Sequence, residues 1–286
     1  MDFRSRGTGA TMIKSVIALA AMLLAIPVAI PGCALVPASN GSTSGWTLKW
    51  STDFPTPVRL GQFSGCDNNA NSPDRYCSSL PPSIRSQWWA YPYPWPDTAT
   101  QRDYRVGGYY DPAHTVWISG GEMHMRIFRG TSWIHSAAVV PKAADGVKYG
   151  KFIETFSVSH ADTGYKAAHL LWPTAGNQDY EVDFPEGNLN GSICAYSHSV
   201  YRAKKAAFCP DANWTGWHTT EIQWAPGSVT FSLDGRVIGH STGDRVPNED
   251  MTWVIQNESA LTGPSAAPGS WAQINISSVA VYSYTA

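Results

Sequence analysis

Polar and apolar residues alternate along much of the chain from Trp46 onward. In EMHMRIFR (122–129), Met123, Met125 and Ile127 interleave with Glu122, His124 and Arg126, the period of two that a half-buried strand requires. YGKFIETFSVS (149–159), HTTEIQW (218–224), SVTFSLD (228–234) and INISSVAVYSY (274–284) alternate in the same way or carry β-branched and aromatic runs. Gly120-Gly121 and Asp234-Gly235 fall between such segments as two-residue hairpin turns. No stretch predicts an amphipathic helix longer than two turns, and no internal repeat appears. Many short strands predict an all-β fold, a jelly-roll β-sandwich with a concave substrate cleft.

Residues 63–111 break the pattern. They are rich in Asn, Ser, Pro and aromatics, and include QWWAYPYPWPD (87–97). A long irregular segment inside a compact domain is usually functional or disordered. The cluster Trp88, Trp89, Tyr91, Tyr93 and Trp95, with a cysteine pair near its start, predicts a loop folded over one end of the cleft.

The amino-terminal region reads differently again. Arg4, Arg6 and Lys14 precede an apolar run from Val16 to Ile30, and Val36-Pro37-Ala38 offers small residues for cleavage, so 1–38 is expected to be an export signal. Residues 39–45 (SNGSTSG) form a polar linker, and 46–286 form one domain. Ile30-Pro31-Gly32-Cys33 also resembles a bacterial lipobox, so the protein is expected to be secreted, or held at the cell surface by a lipid on Cys33, its only expected link to a membrane. Of the five cysteines, Cys66, Cys77, Cys194 and Cys209 then remain. In an exported chain they predict two disulfides, and short spacing favours Cys66–Cys77 and Cys194–Cys209. With no C-x₂-C pair or matching histidines, no metal site is expected.

Charge adds an exclusion. Only 15% of residues are charged and the net charge is −2, which leaves no electrostatic footprint for nucleic acid. Thirteen Trp and thirteen Tyr supply flat faces suited to sugar rings, although at least half of them belong to the core.

DYEVDFPEGN (179–188) carries the candidate chemistry. Glu181 and Asp183 share a strand face, but Glu186, five positions after Glu181, would point the other way unless the strand bulges between Asp183 and Glu186. Pro185, which lacks an N–H, sits where a bulge tolerates it. With the bulge, the Cα atoms of the two glutamates lie roughly 13 Å apart. Their side chains can close that to about 5 Å, the separation a retaining glycoside hydrolase uses. Mutual repulsion would keep one carboxyl ionised and the other protonated. Asp183 would hydrogen-bond one of them. A calcium site or a solvated acidic edge is the alternative reading of these three acids.

The E-x-D-x-x-E spacing resembles the bulged motif of laminarinase-like and galactan-cleaving members of glycoside hydrolase family 16, so galactan stays open beside the β-glucans, and the Glu-Val-Asp-Phe-Pro-Glu-Gly form resembles secreted actinobacterial members in particular. GYKAAHLLWP (164–173), WHTTEIQWAPGSVTFSLDGRVIG (217–239) and MTWVIQNES (251–259) look like the family's strand before the catalytic one, its later hairpin and its cleft-crossing strand. The resemblance covers most of the mature chain. It implies Glu181 as nucleophile, Asp183 as auxiliary acid and Glu186 as acid/base, in an endo-acting β-glycanase most similar to enzymes of β-1,3- or β-1,3-1,4-glucan. It also implies substrate contacts by His198 and Gln256. Stacking platforms are expected at Trp172 and among Trp88, Trp89 and Trp95, whereas Trp217 and Trp224 are expected in the core. Lys166 and Leu170 stand where many laminarinases have tryptophan, and His169 lies in a usually apolar stretch, so glucan specificity does not carry over directly. The expected partner is a polysaccharide, acted on by a monomer without a cofactor. A structural calcium ion is not located by the sequence. The rival reading is a non-catalytic, lectin-like or cell-wall protein on the same fold, which would have no need of both glutamates.

Overall fold

Alternation along 122–129 produces a strand with two unlike faces: Met123, Met125 and Ile127 are buried, while Glu122, His124 and Arg126 turn away from the core. The same division recurs through the computed structural model, which describes residues 45–67, 76–102, 107–175, 180–198 and 205–286. The expected export signal, Cys33 and linker positions 39–44 lie outside the described residues.

The described chain starts with β1 (Trp46–Thr52). The aromatic-rich segment holds β2 (Cys66–Asp67), β3 (Tyr76–Cys77), α1 (Pro82–Arg85), β4 (Trp88–Ala90), α2 (Thr98–Gln101) and β5 (Gly108–Tyr110), and α3 (Pro112–Thr115) follows it. Next come β6 (Val116–Ser119), β7 (Glu122–Arg129), β8 (Ile134–Pro141), β9 (Gly150–Ala161), β10 (Tyr165–Pro173), β11 (Val182–Asn188), β12 (Cys194–His198) and β13 (Lys205–Phe208). The remainder is β14 (Trp217–Ala225), β15 (Ser228–Leu233), β16 (Arg236–Thr242), β17 (Met251–Ser259) and β18 (Trp271–Tyr284).

Apart from the β2–β3 ribbon and β5, which pairs parallel with β8, these strands form two antiparallel layers. One runs β13-β12-β11-β10-β17-β8, with β4 on β8; the other runs β6-β7-β18-β9-β14-β15-β16, with β1 on β18. Pairing of Phe128 with His135 and Arg129 with Ile134 joins the layers through β7 and β8. Between the layers lie Phe152, Phe156, Trp224, Phe231 and Trp253, all buried, and the Phe152 and Trp253 rings meet at 5.4 Å across the sandwich. Truncating a ring so placed costs about 3–5 kcal/mol. Both glycine-containing turns join neighbouring strands, with Asp234 and Gly235 at φ of 51° and 76°, the left-handed pair a tight hairpin demands.

The sandwich also settles the cysteines and part of the aromatic cluster. Cys66 is bonded to Cys77, its direct partner across β2 and β3, and Cys194 is bonded to Cys209. Trp88 is a core residue rather than a sugar platform. It points between the layers, edge-on to Trp50 at 5.4 Å and stacked on Phe54 at 5.9 Å. Trp217, expected in the core, is instead 49% exposed at the first position of β14, before the buried positions of that strand begin.

Candidate active site

Strand β11 is held between β10 and β12. Asp183 stands opposite Leu170 and Tyr196, and Glu186 opposite Ala168 and Cys194. Phe184 and Pro185 therefore face a single residue on each side, His169 on β10 and Ala195 on β12. That is a bulge, and it returns Glu186 to the face of Asp183. Phe184 fills the core beside Phe231 at 5.7 Å, which anchors the irregular pair. Just before β11, the carbonyl of Glu181 accepts the N–H of His198 at 2.9 Å, so the ladder to β12 holds this glutamate in line as well.

Strand parity then sorts the neighbours. On β10, Ala167, His169 and Leu171 point into the sandwich, where His169 Nδ1 meets Glu154 Oε1 at 2.7 Å. Lys166, Ala168, Leu170 and Trp172 alternate with them and share the face of the acids. Val254, Gln256 and Glu258 lie beside them on β17. Trp89, Tyr110, Ala138, Val140, Ala168, Leu170 and Val254 make a second apolar cluster on this face, with Tyr91 and Trp172 packed against it.

The aromatic segment covers that cluster. Tyr91 lies 5.4 Å from Trp89 and 5.1 Å from both Tyr110 and Trp95. Trp89 is thus on the right face but covered, and it offers no ring to a sugar. Trp95 is the open tryptophan of the segment, 36% exposed, with Tyr93 beside it at 53%. Trp172 is half-buried further along β10, and Gln256 lies almost wholly buried between Ala168 and Ala138.

Two charged clusters meet at the bulge. His198 Nε2 lies 3.1 Å from Asp183 Oδ2. Burial pushes the Glu181 carboxyl up to about 8, with Asp183 and Glu186 adding to the rise and His198 opposing it. Burial, and then the charge of Glu186, likewise raise Asp183 well above the carboxylate range. Glu181 and Asp183 consequently hold one proton between them near neutrality.

The other cluster is centred on Lys166. Its Nζ lies 3.0 Å from Glu186 Oε1 and 3.6 Å from Glu258 Oε1. Burial works against this ammonium, but Glu258 and Glu186 outweigh it and hold it above its ordinary value, so it stays charged. Glu258 Oε2 in turn accepts the Thr98 N–H at 2.9 Å and the Tyr110 hydroxyl at 3.1 Å, both from the aromatic segment. Neither Glu258 nor Tyr110 was marked by the sequence, although strand parity puts Lys166 and Glu258 on the acid-bearing face. Across β12, Lys205 Nζ sits 4.2 Å from the centre of the Tyr196 ring.

Among the described residues, Glu181, Asp183 and His198 offer ligand atoms within 4.8 Å of one another. Two carboxylates and an imidazole are a poor cradle for calcium, which takes six to eight oxygens.

No family model and no curated protein matches this sequence. Solved structures do match. SCLam, a non-specific endo-β-1,3(4)-glucanase from family GH16, aligns over 85% of this chain and 92% of its own, with a TM-score of 0.61 and 14% identity. The fold is that of the laminarinases. The laminarinase from Rhodothermus marinus aligns over 84% of this chain and 98% of its own, with a TM-score of 0.62 and 15% identity. A glycosyl hydrolase family protein from Mycobacterium fortuitum aligns over 82% and 99%, at 0.58 and 17%. In this chain the acid-bearing strand lies in the middle of its layer, with the aromatic segment along one side.

Proposed function

We propose that this protein is a member of glycoside hydrolase family 16 and a retaining endo-β-glucanase of β-1,3- or mixed β-1,3-1,4-linked glucan. The observation that carries the reading is the bulge at Phe184–Pro185, which gathers Glu181, Asp183 and Glu186 into one electrostatic cluster. The names of the fold neighbours support the substrate class. One of them, a glutamate-to-serine variant of SCLam, holds 1,3-β-D-cellobiosyl-glucose at its active site.

In this reading Glu181 attacks the anomeric carbon as the glycosidic C–O bond breaks, and Glu186 gives its proton to the departing oxygen. Asp183, protonated, donates to Glu181 and tempers its charge. Glu186, now a carboxylate, takes a proton from water, which attacks the glycosyl-enzyme and releases Glu181. His198 holds Asp183, and Trp95 and Trp172 provide rings for flanking sugars. Both displacements run on carboxylates, so neither cofactor nor metal is required. We further infer export through residues 1–38, with domain 46–286 acting as a monomer outside the cytoplasm. The two disulfides are at home in that compartment.

The test is reducing-sugar release by the purified mature chain from laminarin, lichenan, agarose and arabinogalactan. Cleavage of laminarin or lichenan, abolished in Glu181→Ala and Glu186→Ala, is the expected result. Cleavage of agarose or arabinogalactan alone would overturn the glucan assignment, and release from none of the four would overturn the enzyme. Intact mass of the exported protein separates cleavage after Ala38 from a lipid on Cys33.

A further inference from the structure

Lys166 stands between the proton donor and a buried acid that has no part in the reaction just described. Its ammonium touches Glu186 through Oε1 alone, leaving Oε2 as the oxygen free to meet a glycosidic bond. Glu258, fully buried, holds the other side of the ammonium and is itself tied to Thr98 and Tyr110. Buried, salt-bridged and only 8% exposed at its side chain, Lys166 cannot swing out to hold substrate as a surface lysine would. What it can do is fix one carboxyl rotamer and present a permanent charge to it.

We infer that Lys166 is a positioning residue for Glu186, clamping Oε1 and stabilising the negative charge that develops on this carboxyl as its proton passes to the leaving oxygen. The inference rests on the reading of Glu186 as acid/base. It has a directional consequence. In the first displacement, counted from the protonated acid, Glu186 becomes an anion 3.0 Å from a cation, so in the pH range where Glu186 carries its proton Lys166 lowers that barrier. In the second, Glu186 must regain a proton from water, and the same cation opposes it. Lys166 therefore accelerates glycosylation and retards deglycosylation. Glu258 sets where the ammonium sits, and through Glu258 the aromatic segment shares in aiming the donor.

The experiment compares kcat and KM on laminarin and on aryl β-laminaribiosides whose leaving groups run from poor to good. Lys166→Met combined with Glu258→Gln removes the cation without leaving an unpaired buried charge. We expect kcat to fall at least about tenfold on laminarin and on the poorest aryl leaving group. With the best leaving group, where deglycosylation limits, kcat should be unchanged or higher. Lys166→Arg should restore most of the loss. Tyr110→Phe, which removes one hydroxyl, should reproduce the pattern in weaker form, and it serves if the double variant does not fold. An equal fall on every substrate would assign Lys166 a structural role, and no fall on any would remove it from the mechanism; either result overturns the inference. Glu186→Ala is measured alongside. If it shows no dependence on leaving group, Glu186 is not the donor and the underlying reading fails. If it does, that reading stands whatever Lys166 shows.

Discussion

Replacing Glu181 with glutamine should stabilise the domain, and the gain should grow with pH. The carboxyl rises from an ordinary 4.5 to about 8 in the folded protein because burial and the neighbouring acids penalise its charge. Between those two values the folded chain keeps a proton that the unfolded chain has lost, so stability falls as pH increases across that window. The full rise corresponds to about 5 kcal/mol, an upper bound because Asp183 competes for the same proton. Glutamine keeps the shape and can donate to Asp183, but it never ionises.

Melting temperatures of wild type and Glu181→Gln, taken by calorimetry at pH 4.5 and pH 9, read this directly. Near pH 4.5 the two should melt together. At pH 9 the variant should melt higher, by up to about 10–20 °C, since a domain of this size gains about 2–4 °C per kcal/mol. A difference that is constant with pH, or larger at the acid end, would refute the assignment of a proton to the Glu181–Asp183 pair. A lower melting temperature for the variant at pH 9 would refute the claim that burial and the neighbouring acids penalise the charge of Glu181.

Other expectations are as direct. With an activated aryl glycoside and azide, Glu186→Ala should yield the β-azide and Glu181→Ala the α-azide; the same anomer from both, by NMR, would reverse the roles. Trp95→Ala should raise KM severalfold on glucan with kcat little changed, whereas Trp88→Ala should cost about 3–5 kcal/mol in urea denaturation and leave KM alone. Removing the Cys194–Cys209 disulfide, which closes a separation of 15 residues, should cost about 3 kcal/mol by the same assay.

Much of this arrangement was legible in the chain because its signals are local. Residues 122–129 form β7 with the bounds their alternation implies, and 251–259 form β17. The bulge is legible from three acids and a proline, since only an extra residue between Asp183 and Glu186 reconciles their spacing with one face. What was hidden depends on distant partners. Trp88 and Trp89 are consecutive on β4, and composition cannot say which one the sandwich takes and which one Tyr91 covers. Trp217 adjoins a buried hairpin in sequence, yet its strand starts before the buried positions do. Lys166 and Glu258 are far apart in sequence, and only the pairing of β10 with β17 makes them neighbours. A lone lysine in an apolar strand departs from the family pattern, and its meaning lies in the acid opposite.

Phe184 and Pro185 take the space of one residue in each flanking strand, and β10 and β12 keep their own spacing past them. A version of β11 shorter by either residue would still present glutamate, aspartate and glutamate at alternate positions, on the same side and at the same separation. The distance between the two glutamates is therefore set by the ladders of the neighbours and not by how many residues lie between them. Strand length at this point is free to vary by one while the reacting geometry stays fixed. A column-by-column comparison of two such chains would show a gap in the middle of the site where the molecules themselves have none.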